Sequence, residues 1–267
     1  MAIVNRTPDS FFDRGRTFAL DAAIAAAVSA VENGADLVDI GGVKFAPGEP
    51  VPVEEEIDRV VPVIEGLRGS GAVISVDTFH AEVAEASLAA GAHIVNDTTG
   101  LRDPRMIDVV ATAGAMLVIT HSLAVPRTAY PAPHYDDVVV DVVDFLRTRV
   151  DRAVSGGVSP ERIIVDPGHD LNKNTLHSIE LTRRFSEIAE LGYPALAAIS
   201  NKDFIGETLD REKEGRLAGS LAAMVFCITQ GARIVRMHDV AAAVDAARMT
   251  EALLGFRAPA VLRHNMA

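Results

Sequence analysis

Eight times along its length, this chain alternates a short apolar run rich in β-formers with a longer stretch whose apolar residues recur every three or four positions. The short runs are AIVN (2–5), DLVDI (36–40), AVISVD (72–77), HIVND (93–97), MLVITH (116–121), RIIVD (162–166), ALAAIS (195–200) and RIVRMH (233–238). Seven of the eight longer stretches end in glycine, as helix C-termini prefer. Gly34-Ala35, Gly91-Ala92, Gly114-Ala115 and Gly231-Ala232 each stand just before a run, one helix-to-strand turn used four times. Strands apolar on both faces and joined by helical crossovers form a parallel sheet, which must be covered on both sides. Eight such units without a reversal signal predict an α/β fold, a closed (β/α)8 TIM barrel, with residues 1–267 as a single domain. The runner-up is an open doubly wound sheet, which usually carries a Gly-rich phosphate loop after its first strand; no such loop stands here.

In a barrel of this kind the active site lies at the C-terminal ends of the strands. Those ends read Asn5, Asp39, Asp77, Asn96-Asp97, His121, Asp166, Ser200 with Lys202, and Arg236 with His238. Any one of them alone reads as a helix cap, and Thr78 is as good a cap as Asp77. A polar group at every end is not what chance scatter gives. Asp77, Asp97 and Asp166 supply acceptors, while Lys202, Arg236 and His238 supply donors and positive charge. Arg236 and His238 stand two apart on one strand and point the same way. Together with the Asn5 amide they suit a phosphate or diphosphate. Carboxylates converging on the barrel centre suit a flat ligand rich in N–H donors. For Asp39, Asp166 and Lys202 a structural ion-pair network is the alternative.

The formal net charge of −12 argues against nucleic acid or an anionic membrane as partner. No apolar stretch approaches the roughly 18 residues of a membrane span, and the N-terminus lacks a signal-peptide pattern, so a cytoplasmic protein is expected. Cys227, the sole cysteine, reads as a small core residue. The CxxC, HExxH, GxxxxGK and GxSxG patterns are absent and the histidines are dispersed. A metal acting here would be Mg²⁺ arriving with a diphosphate. The segment 216–230, RLAGSLAAMVFCITQ, is apolar almost all round, which suggests a subunit interface or tight packing against the last helix.

The motifs carry a resemblance across essentially the whole chain. NRTPDSFFDRG resembles the NVTPDSFSDGG opening of dihydropteroate synthases, and DIGG, SVDT, VNDTTG, DPG, SNKDFIG and VRMHDV resemble that family's later signatures in order. The resemblance implies a pterin-binding barrel that joins 6-hydroxymethyl-7,8-dihydropterin diphosphate to p-aminobenzoate and releases diphosphate, a transferase of folate biosynthesis. It places Asp77, Asn96, Asp166 and Lys202 on the pterin ring, with Asp97 of the same motif among the ring-binding residues, and Asp166 pairing with the ring's guanidine-like edge. It places Asn5, Arg236 and His238 on the diphosphate, with Mg²⁺ at Asn5. Asp77, Asn96, Asp166, Lys202 and Arg236 are the expected catalytic set, and a homodimer through 216–230 is the expected assembly.

The departures cluster. The family's GGESTRPG loop reads GGVKFAPG at 41–48, so its Ser, Thr and Arg are replaced while the glycines and Pro47-Gly48 remain. An ammonium at Lys44 is no bidentate guanidinium. Asn201 stands where the family has Arg, DPGHDLNKN replaces DPGIGFGK, and the first loop adds Arg6, Phe12 and Arg14. Family members also carry a short segment before the first strand, whereas Met1 lies at that strand itself. Pterin and diphosphate positions are kept while those for the second substrate are rewritten, as in the family's diverged second-copy homologues. Two outcomes are expected from this pattern: a synthase of weakened activity, or a paralogue that binds pterin diphosphate without condensing it or with another nucleophile.

Overall fold

The computed structural model describes residues 1–7 and 19–265. Phe12, Arg14 and most of the TPDSF segment lie outside the described residues. Eight strands run β1 (Ala2–Asn5), β2 (Leu37–Gly41), β3 (Val73–Asp77), β4 (Ile94–Asp97), β5 (Met116–Thr120), β6 (Ile163–Asp166), β7 (Ala195–Ala197) and β8 (Ala232–Val235). They form one sheet in sequential order, and each adjacent pair is parallel. The sheet curls until its edges meet. Met237 N donates to Met1 O at 3.0 Å, and the Met1 amino group donates to Val235 O at 2.9 Å. The result is a TIM-like barrel; a doubly wound sheet would reverse its strand order.

The helices among the described residues are α1 (Leu20–Glu32), α2 (Val53–Gly66), α3 (Ala81–Ala90), α4 (Arg105–Ala113), α5 (Val138–Ser155), α6 (Thr175–Arg183), α7 (Phe185–Ala189), α8 (Asp203–Leu209), α9 (Leu217–Thr229) and α10 (Val240–Leu253). None is long and apolar enough to cross a membrane. Two more helices form than the eight helical stretches read from the sequence. The stretch before β7 breaks at Arg184, whose backbone leaves the helical region (φ −108°, ψ 29°). A separate short helix, α8, forms over DFIGETL because a carboxylate from another loop caps it, which local pattern cannot reveal. The four repeated Gly-Ala turns owe their sequence to conformation: Gly34, Gly91, Gly114 and Gly231 take φ of 93°, 118°, 62° and 103°, where a Cβ is strained.

Strand alternation splits the core in two. Residues facing the helices, such as Val38, Ile40, Ile74, Val76, Val95, Leu117 and Val165, join one large cluster with the apolar faces of the helices. Inward-facing Ile94, Val118, Ile164 and Leu196 fill the lower barrel with Met1, Leu37, Met116 and Ile234 beside them. The same alternation carried toward the strand C-termini puts Asn5, Asp39, Ser75, Asp77, Asn96, Thr120 and Asp166 on the inward face. The barrel is therefore apolar below and polar above.

Gly168 holds the loop after β6 against β5. It adopts φ 68°, and a Cβ there would overlap the His121 carbonyl oxygen. Gly168→Ala should cost roughly 1–3 kcal/mol from backbone strain alone, read as a lower urea midpoint. An unchanged midpoint would show that the loop relaxes freely.

Candidate active site

The polar upper layer is organised by Asp39, whose side chain is fully buried. Its Oδ2 accepts from Arg236 Nε at 2.6 Å and from Asn96 Nδ2 at 3.0 Å, and its Oδ1 accepts from Ser75 Oγ at 2.6 Å. Arg236 Nη2 also donates to Asp77 Oδ2 at 2.9 Å. One guanidinium thus spans from the end of β8 to β2 and β3. Burial would strip the Arg236 proton, but the Asp39 and Asp77 charges outweigh it and hold the group above its usual range. Because a carboxylate only accepts, Asp39 fixes the Asn96 amide with its NH₂ inward to the carboxylate. The Asn96 Oδ1 is left buried and without a partner.

A cavity of about 320 Å³ opens over this layer. Asn5, Asp77, Asn96, Asp166, Lys202, Arg236 and His238 all line it, so the structure brings seven of the expected site residues together. Asp166 is buried, and its Oδ1 accepts from Gly168 N at 2.7 Å. Burial raises its carboxyl above the ordinary range, against the pull of that bond, Lys202 and Arg236. Ser200 Oγ accepts from His238 N at 3.1 Å and lies 2.9 Å from His238 Nδ1, which ties the ends of β7 and β8 together.

Besides Asp39, which lies beneath it, two rim residues do not reach the cavity. Asp97 follows the inward Asn96 and therefore faces outward; its carboxylate accepts from Thr99 N at 2.7 Å, Thr99 Oγ1 at 2.6 Å and Leu101 N at 3.0 Å. It shapes the loop after β4, and the expectation that it holds a ring is corrected. His121 likewise follows the inward Thr120 and packs among Tyr135 and Phe145, with Lys173 Nζ at 2.7 Å from its Nδ1.

Several residues of the site were not read from the sequence. Thr120 and Ser75 were missed, although the two-residue period counted back from Asp166 and Asp77 through the sheet would have found them. Thr120 Oγ1 and Thr7 Oγ1 line the cavity buried and without partners. Lys173 is buried beneath the loop after β6, donating to Gly168 O at 3.0 Å and Leu171 O at 3.1 Å; burial pulls its ammonium down to about 7. Asp170 and Asn172, which replace two glycines of the family pattern, adopt φ of 63° and 52°, the left-handed region that Asp and Asn tolerate best among side-chain-bearing residues. Asp170 also accepts from Asp203 N at 2.6 Å and so caps α8 beside Lys202.

Residues of the segments that depart from the family pattern lie at or near the cavity. Lys44 and Phe45 line the cavity. Asn201 also lines the cavity and is tied to the start of α9: its N donates to Ser220 Oγ at 3.0 Å, and its O accepts from Arg216 Nη1 at 2.9 Å. Arg6 turns to α2, donating to Asp58 O at 2.8 Å and Arg59 O at 3.0 Å, and does not line the cavity.

A barrel with this rim is built for a small ligand that is flat and rich in N–H groups at one end and anionic at the other. Residues 1–238 match the family described as pterin binding enzyme, and the chain belongs to that family. It is 47% identical over 266 residues to the inactive dihydropteroate synthase 2 of Mycobacterium tuberculosis, covering 97% of this chain and 84% of that one. It is 39% identical over 256 residues to the dihydropteroate synthase of Escherichia coli, covering 95% and 91%. The dihydropteroate synthase of Xanthomonas albilineans solved with 4-aminobenzoic acid superposes with a TM-score of 0.89 at 44% identity, covering 95% and 92% of the two chains.

Burial pushes the Asp77 carboxyl from 3.8 up to about 7, against the opposing charge of Arg236. The fold therefore holds this proton more tightly than the unfolded chain does between those values. The stability it contributes is full below the lower value and lost as pH rises through the upper one. A carboxyl-carbon NMR titration should place Asp77 near 7, and Arg236→Gln should move it higher still. A midpoint near 4, or a downward move in the variant, would contradict this account.

Proposed function

We propose that this chain is a dihydropteroate synthase-type transferase that binds 6-hydroxymethyl-7,8-dihydropterin diphosphate as one (β/α)8 barrel domain and condenses it weakly with p-aminobenzoate. The observation that carries the reading is the unpartnered Asn96 Oδ1 in the cavity that Asp166, Lys202, Arg236 and His238 also line. Asp166 accepts from the guanidine-like edge of the ring, Asn96 Oδ1 accepts a further ring N–H, and Lys202 donates to a ring acceptor. Asp77, which also lines the cavity, faces the ring while holding Arg236. Arg236 and His238 take the diphosphate, with Asn5. As the C–O bond to diphosphate breaks, positive charge grows on the pterin methylene and negative charge on the leaving group. Fixed charges preorganised for both ends lower that barrel-bound transition state.

Mg²⁺ fits this rim as a companion of the diphosphate. Among the described residues no three His, Cys, Asp or Glu side chains cluster to hold a metal by themselves. The neutral Asn5 amide oxygen has room to act as one ligand because Gly41 lacks a Cβ, which would stand 2.8 Å from it. When bound, the ion would neutralise charge on the leaving diphosphate.

A second reading, pterin diphosphate binding without condensation or with another nucleophile, is favoured by the rewritten second-ligand side and by the name of the mycobacterial relative. A coupled assay following dihydropteroate and diphosphate, with titration of the pterin diphosphate alone, separates the two. The first reading expects binding and slow formation of both products; binding without dihydropteroate selects the second. Asp166→Asn and Lys202→Ala should each weaken pterin diphosphate binding by roughly tenfold or more, since each leaves a buried polar contact unmade. Wild-type protein that binds no pterin diphosphate would overturn both readings.

We also propose pairing with a second copy through α9 and α10. They leave Phe226 43%, Met249 58% and Leu253 74% exposed. Light scattering should give the mass of two 28.3 kDa chains; a single-chain mass would remove the proposal.

A further inference from the structure

The loop after β2 (residues 42–52) carries the largest departure from the family pattern, and a residue 80 or so positions away holds it in place. Arg127, in the loop between β5 and α5, sends its guanidinium into the arch of that loop. Its Nε donates to Glu49 O at 2.9 Å, and its Nη1 donates to Ala46 O at 2.9 Å and Lys44 O at 3.4 Å. The two backbones are stitched as well: Arg127 N donates to Phe45 O at 3.1 Å, and Gly48 N donates to Arg127 O at 3.2 Å. Arg127 adopts φ 64° to do this, a conformation uncommon outside glycine that persists only where surrounding contacts enforce it. Gly48 makes the space, since a Cβ there would overlap the guanidinium.

The consequence lies at the cavity. The stitched loop presents Phe45, and the Arg127 loop presents Tyr130; both line the cavity, with ring centroids 6.1 Å apart and planes tilted by 39°. Such a pair offers the cavity an aromatic wall that a flat ring can pack against. A planar fork bonding three carbonyls is a task for arginine; an ammonium is a point charge and cannot reproduce it.

We propose that Arg127 is a positioning residue that locks the loop after β2, fixes Phe45 against Tyr130, and so makes the second-ligand side of the cavity selective for a flat aromatic ring. The ring selectivity rests on the pterin reading above; the lock does not. Hydrogen exchange of the ligand-free full chain tests the lock. Arg127→Ala, Arg127→Lys and Gly48→Ala should each speed amide exchange across residues 43–50 by roughly tenfold or more while leaving β2 protected. Unchanged exchange in Arg127→Ala, or full protection in Arg127→Lys, overturns it, because a surface charge alone would be rescued by lysine.

Selectivity is read on protein loaded with pterin diphosphate and titrated with p-aminobenzoate. Arg127→Ala should weaken the arylamine by roughly tenfold and leave pterin diphosphate affinity within about threefold. Equal arylamine affinity in the variant, or a wild type that takes up the pterin but no arylamine, overturns the aromatic wall. A wild type that binds no pterin diphosphate fails the pterin reading instead, and the exchange comparison still decides the lock.

Discussion

A guanidinium held between the buried Asp39 and the partly buried Asp77 at the top of the barrel sets the geometry of everything above it. Arg236 reaches Asp39 at 2.6 Å and Asp77 at 2.9 Å, and Asp39 in turn orients Asn96. Such a cluster is not explained by stability. Replacing a buried ion pair with well-packed apolar groups is often neutral or favourable, whereas removing one partner costs about 3–5 kcal/mol. Once the strands commit Asp39 to the interior, Arg236 must accompany it. The return is a charge held at a fixed point with no reorganisation left to make when an anion arrives.

The cavity joins two histories. In the proposed reading, Asn96, Asp166, Lys202, Arg236 and His238 keep the chemistry that a pterin ring and diphosphate require. Lys44, Phe45 and Asn201, which line the same cavity, stand where the family pattern has hydroxyls and guanidinium groups. The replacements are not loosely tolerated. Asn201 is bonded into α9, Asp170 caps α8, and Arg127 binds the altered loop at five points. A loop whose ordering costs about 1–2 kcal/mol per residue is not fixed this way by neglect. The rewritten side is a built surface, consistent with a second ligand that has changed or a condensation that has slowed.

Much of this was legible in the sequence, and the limits have physical causes. The runs at β1 to β6 match the strands to within a residue or so because each apolar run is closed by a polar residue or a glycine, with a Gly-Ala turn ahead of β2, β4 and β5 as well. The apolar runs at β7 and β8 extend past the regular strands, which end at Ala197 and Val235, because AIS and RMH keep an alternating pattern; Arg236 and Met237 still bond their neighbours, to Ala197 O and Met1 O, outside the regular ladder. The rim was read correctly as polar, yet Asp97 and His121 were counted into it because a strand end was treated as one position; only one of two adjacent residues can face inward. Asp39 was visible as a strand-end carboxylate but not as the group that fixes Arg236, since the partner is 197 residues away. Arg127 left no signal at all. Its partners are backbone carbonyls 78 to 83 residues distant, and a carbonyl has no letter in the sequence.

The most direct test of the central claim is a crystal structure of the protein with the pterin diphosphate bound. The account places the ring's guanidine-like edge on Asp166, a ring N–H on Asn96 Oδ1, and the diphosphate against Arg236 and His238, with the Asp39–Arg236 pair unmoved. A ring seated elsewhere in the cavity, or an Arg236 drawn off Asp39 to reach the ligand, would contradict it.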